Sequence, residues 1–329
     1  NAVAIGDLNG DGSQELVFSN FNSNTVGVLL GDGRGAFEGP TLHGTGYGPS
    51  GLALGDVDGN GSLDIAVAAT LSNTSTLLLD YAFGGFDARF DLPVGQGPND
   101  VALGDFSGNG VVDLAVANTS SNTLTIYTDL RGGPSQDSTY MAGLAPFGVA
   151  AGDLNLDGVY DVVVTNSGSG TVSVFAGTGS SQGNLNYAGD FLAGSSPRAI
   201  SLGDLDGDGA LDVVVADPGT SSVQVLRGTG SLAFEDPLTH SLVGSPSDLA
   251  LGDVTGDGVL DLVVTVIDSA KLVLYAGDGT GDFQYLADYG VGESPLSVAL
   301  GDLNGDGRLD AAVASQFSQS LTLLFNDCR

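Results

Sequence analysis

Short apolar runs and polar, glycine-rich breaks alternate along the whole chain. The sharpest runs, DLAVA at 113–117, DVVVT at 161–165 and DLVVT at 261–265, are apolar at successive positions rather than at every second one. Continuous apolar runs of this length suit strands buried on both faces. Other runs alternate, as half-exposed strands do. No long segment carries helical periodicity. The pattern predicts a short strand such as Leu52–Leu54, an acidic loop and a second strand such as Asp64–Ala68. A Ser/Asn/Thr/Gly-rich loop then leads to a third strand, such as Thr123–Tyr127 or Thr171–Phe175. A glycine turn often carrying Phe (Phe37, Phe234, Phe283) leads to a fourth.

This four-strand unit recurs. The stretches GDLNGDGSQE (6–15), GDVDGNGSLD (55–64), GDFSGNGVVD (104–113), GDLNLDGVYD (152–161), GDLDGDGALD (203–212), GDVTGDGVLD (252–261) and GDLNGDGRLD (301–310) are seven copies of one loop. Their first aspartates are spaced 49, 49, 48, 51, 49 and 49 residues apart. Pro49, Pro98, Pro146, Pro197, Pro246 and Pro295 keep step, each seven residues before the next loop aspartate. Four strands in about 49 residues match a propeller blade. The expected fold is therefore all-β. Residues 1–329 read as a single domain, a seven-bladed β-propeller of four-stranded antiparallel blades, with units starting near 1, 50, 99, 147, 198, 247 and 296. The last unit stops after its third strand, which predicts a three-stranded final blade and an open strand edge.

Composition narrows the function. Forty acids stand against eight bases, a formal net charge of −32. Nucleic-acid binding rests on clustered Lys and Arg, so it is excluded, and anionic membrane surfaces are disfavoured. No apolar run is long enough to span a membrane. The acids are 36 Asp and only 4 Glu, a bias toward short, rigid oxygen ligands and turns. The single cysteine, Cys328, forms no intrachain disulfide. The chain opens at Asn1 without a visible signal peptide and reads as a processed or trimmed piece of a larger protein.

The acidic loops carry the candidate chemistry. Positions 1, 3, 5 and 9 are Asp7, Asn9, Asp11 and Glu15; Asp56, Asp58, Asn60 and Asp64; Asp105, Ser107, Asn109 and Asp113; Asp153, Asn155, Asp157 and Asp161; Asp204, Asp206, Asp208 and Asp212; Asp253, Thr255, Asp257 and Asp261; and Asp302, Asn304, Asp306 and Asp310. Every one bears a side-chain oxygen, and position 6 is always glycine. Carboxylates this close repel by about 1 kcal/mol per pair even in bulk water. A divalent cation among them offsets that. Hard oxygen donors at alternate positions with a glycine reversal suit Ca²⁺ better than Mg²⁺, up to seven ions in all. An EF-hand is excluded because the closing acid falls at 9 rather than 12 and strands flank the loop. The Asp204–Asp212 loop, with four carboxylates, is expected to bind tightest. The Asp105–Asp113 loop, with two, is expected to bind weakest. Leu156 replaces a glycine and is expected to alter the fourth loop.

These loops resemble the Asp-x-[Asp/Asn]-x-Asp-Gly-x-x-Asp calcium hairpins of FG-GAP/VCBS-type repeats, which also occur in integrin α-subunit propellers. The resemblance implies a propeller with its ion-bearing hairpins on one face, and secretion or cell-surface display. It does not fix the function.

Three functions remain in view: recognition of an extracellular glycan or protein, action on polysaccharide as a lyase, hydrolase or accessory domain, and a structural spacer. The two histidines, His43 and His240, share one phase on outer strands of blades one and five, far apart, and no pair of acids stands out, so no catalytic constellation is identified and a non-catalytic role is expected. The loops opposite the acidic ones vary most between units, including Leu71–Thr74, Asn118–Asn122 and Gln316–Gln319. Variable loops on a rigid scaffold are where recognition usually lives. Asp217, Asp248, Asp268, Lys271 and Glu293 fall on blades five to seven of that face as a candidate ligand site. Asn73 and Asn118 open glycosylation sequons there.

Overall fold

In the computed structural model, which describes residues 1–130, 136–180 and 183–326, seven antiparallel sheets follow one another along the chain. Cys328 lies outside the described residues. Blade one runs inner strand Val3–Gly6, second strand Glu15–Asn20, third strand Thr25–Gly31 and outer strand Phe37–Gly44, hydrogen-bonded in that order. Blades two to six repeat the order, with inner strands Pro49–Gly55, Pro98–Gly104, Pro146–Gly152, Ile200–Gly203 and Pro246–Gly252. Blade seven has three strands: Pro295–Gly301, Asp310–Ser315 and Ser320–Leu324. The protein is a seven-bladed β-propeller, with the short last blade that the repeat count predicts.

The burial of each strand follows its sequence. The second strands Asp64–Ala69, Asp113–Asn118, Asp161–Asn166, Asp212–Asp217, Asp261–Val266 and Asp310–Ser315 are buried at every residue. They sit between two neighbouring blades and have no solvent face. Outer strands such as Phe37–Gly44 and Leu185–Leu192 expose much of their length. The core is divided into seven apolar clusters, one at each junction between blades. Val17, Val26, Ile65 and Val67 pack blade one on blade two. Val3, Leu16, Leu303, Ala312 and Ala314 pack blade seven on blade one, so the ring closes. Each fully buried Val or Leu contributes about 1.5–3 kcal/mol.

A second ring of polar contacts follows the inner strands. Ser50 donates from Oγ to the Asn99 carbonyl, Thr165 from Oγ1 to that of Arg198, and Ser247 from Oγ to that of Pro295. Ser297 Oγ accepts the Val3 N–H at 3.2 Å and closes the circuit from blade seven to blade one. The ladder slips by a residue near the inner-strand prolines, for example between Ala117 and Asn118 and between Pro246 and Asp248. Such bulges re-aim side chains. Here they lie where the residues after each proline line the mouth of the central channel.

Candidate metal centres and the channel mouth

Each acidic loop joins an inner strand to a second strand, so all seven lie on one face of the ring. The position-1 carboxylate organises the turn. Asp7 accepts the Gly10 N–H at Oδ1 (2.8 Å) and the Gly12 N–H at Oδ2 (2.9 Å). Asp204 does the same for Gly207 and Gly209. Two left-handed residues make this possible. Position 6 is glycine with φ between 77° and 94° in every loop. Position 4 is glycine in six loops and Leu156 in the fourth. Leu156 adopts φ 61°, the same left-handed turn, and Asp153 still receives Asp157 and Gly158. The expectation of an altered fourth loop is therefore corrected: the hydrogen-bonded frame imposes the glycine-like conformation on a leucine.

The position-9 acid has a second role that the spacing alone did not reveal. Asp64, Asp113, Asp161 and Asp261 are fully buried. One oxygen of Asp64 accepts the Val57 N–H at 2.9 Å and the other accepts the Asp80 N–H at 2.9 Å. Asp161 takes Leu154 and Gly177, and Asp310 takes Leu303 and Asn326. The carboxylate thus pins the loop to the end of the third strand. Burial is the main cause that pushes Asp64, Asp113, Asp161 and Asp212 up to about 6. The neighbouring Asp58 charge adds to the rise at Asp64.

Two loops gather three carboxylates: oxygens of Asp56, Asp58 and Asp64, and of Asp204, Asp206 and Asp208, lie within 4.8 Å of one another. Oxygens across a Ca²⁺ ion, bound at 2.3–2.6 Å, stand roughly 4.6–5.2 Å apart, so both donor sets fit this ion. Position 3 separates these loops from the rest. It is aspartate only in blades two and five, and Asn9, Ser107, Asn155, Thr255 or Asn304 elsewhere. Where it is asparagine, its amide can take the ion's place. Asn9 donates to Asp11 and Asn155 to Asp157, both at 3.0 Å. Asp80, absent from the sequence-derived ligand set, sits beside the blade-two loop and accepts a hydrogen bond from Asn60.

On the opposite face the five candidate ligand residues hold separate posts. Asp217 is buried and accepts the N–H groups of Ser195, Ser196 and Gly219. Asp268 accepts the Ser245 N–H. Lys271 pairs with Asp288 of the outer strand at 2.9 Å, and Glu293 is exposed. Of the five, Asp248 alone lines the channel mouth. Asn73 is exposed, whereas Asn118 is fully buried and donates to Thr123 and Thr125, which closes its sequon in the folded protein. His43 and His240 lie on the outer strands of blades one and five, His43 against Phe86 and His240 against Phe283.

The mouth is a 320 Å³ cavity that brings Asp248 together with Asn99, Asp100, Phe147 and Arg198. Asp100 accepts the Val149 N–H of the next blade, and Asp248 accepts the Val298 N–H of its own next blade. Both carboxyls lie deep in the ring while opening onto the cavity. Burial pushes Asp100 up to about 7 and Asp248 to about 6, and the Asp248 charge contributes to the rise at Asp100. The Arg198 guanidinium sits 5.1 Å from the centre of the Phe147 ring. The sequence reading of candidate ligand residues did not bring Asn99, Asp100, Phe147 and Arg198 together with Asp248. The signal was present in the column of residues following each proline: Ser50, Asn99, Phe147, Arg198, Ser247, Leu296.

Known proteins agree with this architecture. The FG-GAP-like repeat family matches residues 7–67, 153–215, 204–264 and 263–313. The chain belongs to that family. No curated protein sequence matches it. Among solved structures, this FG-GAP-like propeller is similar to BBS1N crystallised in complex with ARL6DN, with TM-score 0.71, 14% identity, and 100% of this chain and 93% of that chain covered. It is also similar to hydrazine synthase of Kuenenia stuttgartiensis, with TM-score 0.68, 15% identity, and coverage of 98% and 94%. An Agrocybe aegerita lectin that recognises non-reducing terminal N-acetylglucosamine aligns with TM-score 0.60 and 16% identity, covering 99% of this chain and 86% of that one. At these identities the likeness is one of fold.

Proposed function

We propose that this propeller is a non-catalytic recognition module, secreted or displayed at a cell surface, whose acidic loops hold Ca²⁺ and whose opposite face binds an extracellular glycan or protein. One observation carries the reading. The loops opposite the acidic ones expose large apolar side chains: Tyr47 at 66%, Leu71 at 65%, Val243 at 95% and Phe317 at 75%. Exposed apolar groups set among polar loops mark interaction surfaces. The frame beneath them is rigid, because six of the seven second strands are buried at every residue between neighbouring blades. Calcium fits this division of labour: it braces one face while the other stays free to vary. The lectin and the BBS1N complex show that similar propellers take glycan or protein partners. The test is a glycan array run in calcium, with chelator, and with a Tyr47→Ser/Leu71→Ser/Phe317→Ser variant. Saturable binding that the variant loses while keeping its melting temperature supports the reading. Binding indifferent both to this variant and to substitutions at the channel mouth places recognition elsewhere and overturns it.

A further inference from the structure

We propose that the channel mouth is a carbohydrate subsite that takes one neutral sugar residue, held by Asp100, Asp248, Asn99, Phe147 and Arg198. The proposal rests on the reading that the face away from the acidic loops is the recognition face. The first argument is asymmetry. In a seven-fold ring the residue two after each proline occupies equivalent ground, and it is Gly51, Gly148 or Ala199 in blades two, four and five. The fold therefore tolerates a very small side chain there. Blades three and six instead place aspartates, and blades four and five place Phe147 and Arg198 one position earlier. The two carboxyls, the aromatic ring and the guanidinium thus fall on consecutive blades three to six around a single cavity.

The second argument is chemical fit. Among the described residues Arg198 makes no ion pair. Its guanidinium is planar, carries five donors and is steadied by the Phe147 ring. A carboxyl group keeps spare hydrogen-bonding capacity whether ionised or protonated, so Asp100 and Asp248 have room beyond the backbone N–H groups of Val149, Val298 and Leu249 that they already serve. Sugar hydroxyls both donate and accept. They satisfy the carboxylates and the guanidinium together, while the apolar C–H groups pack on Phe147 and on the floor formed by Leu52, Leu249 and Val298. A cationic ligand would meet Arg198, and an anionic one would meet two carboxylates. The raised positions of both carboxyls lower the charge of the mouth near neutral pH, which again suits an uncharged ligand. The 320 Å³ volume lies at the small end of ligand sites, the scale of one or two sugar rings.

The experiment is saturation-transfer NMR on the calcium-loaded full chain with the methyl glycosides of glucose, galactose, mannose and N-acetylglucosamine. The variants are Arg198→Ala, Arg198→Lys, Phe147→Ala, Phe317→Ala on the outer loops of the same face and, as a control on the acidic-loop face, Phe83→Ala at a fully exposed position. The expected result is saturable binding of at least one glycoside, weakened at least tenfold by Arg198→Ala and Phe147→Ala and unchanged by Phe83→Ala, with partial retention by Arg198→Lys. Melting temperatures confirm that each variant folds. Binding that survives both channel variants but falls with Phe317→Ala overturns the subsite and leaves the recognition face standing. No saturable binding of any glycoside overturns the subsite, and the array then decides the recognition reading on its own.

Discussion

The Oδ1 atom of Asp212 lies 2.7 Å from the backbone nitrogen of Gly228 and accepts its hydrogen bond. Gly228 follows the third strand of blade five, whereas Asp212 opens the second. The other Asp212 oxygen accepts the Leu205 N–H at 2.9 Å. The last acid of the loop is thus a clamp inside the blade as well as a candidate metal ligand. Hydrogen bonds to charged groups contribute about 1.5–3 kcal/mol each, and orphaned buried donors add a penalty. Asp212→Ala should therefore cost about 2–4 kcal/mol in chelator, where no metal contributes. Asp206→Ala should cost almost nothing there and show its effect only in calcium. Denaturant titrations with and without chelator check both. Equal losses in chelator would contradict the clamp.

Calcium affinity should follow the carboxylate count. Asp204→Ala should cost more calcium than Asp105→Ala, because the Asp105 loop carries Ser107 and Asn109 in place of carboxylates. The blade-two loop, which also gathers three carboxylates, should rank beside blade five. Thr255→Asp should raise the affinity of blade six. Calorimetric titration of each variant reads the ranking, and indistinguishable losses at Asp204 and Asp105 would refute it.

Leu156 pays for its left-handed turn without a glycine's freedom. A left-handed conformation costs an L-residue roughly 1–2 kcal/mol, partly offset by the greater chain entropy of an unfolded glycine. Leu156 is 59% exposed, so little burial is lost on its removal. Leu156→Gly should stabilise the protein by about 0.5–1 kcal/mol, measured as a shift in the denaturation midpoint. A destabilised variant would mean that Leu156 holds its loop by packing on blade five.

The ring and its acidic loops were legible because they depend on local rules repeated in phase. Oxygen-bearing residues at positions 1, 3, 5 and 9, a glycine at 6 and a proline seven residues upstream are all readable from spacing. The short blade was legible from the repeat count. What spacing could not convey was convergence. Asp100, Phe147, Arg198 and Asp248 lie on four different units, and only closure of the ring brings them to one mouth. Asp217 and Asp268 stood among the candidate ligand residues by position, but backbone N–H groups of neighbouring loops claim both. Leu156 broke the glycine rule in sequence and obeyed it in conformation, because the turn is set by the hydrogen bonds of Asp153 rather than by the residue's own preference.

The channel carboxyls should leave a pH signature. Asp100 and Asp248 are raised from 3.8 to about 7 and about 6 in the folded protein. A carboxyl whose folded pKa exceeds its unfolded value holds the proton better when folded. Its contribution is fully present below about pH 4 and is lost as pH rises through about 6 to 7. The wild type should therefore lose more melting temperature between pH 5 and pH 8 than an Asp100→Asn/Asp248→Asn variant. Parallel profiles would show that these carboxyls keep ordinary acidity.

The measurement that bears most directly on the whole account is thermal unfolding of the chelated protein as Ca²⁺ is returned, with bound ions counted by elemental analysis. Binding at a hundred times Kd stabilises by about 2.7 kcal/mol per site, so several sites should raise the melting temperature by ten degrees or more. The account predicts that rise together with several ions per chain. A melting temperature that does not move, or a chain that takes up no calcium, would contradict it.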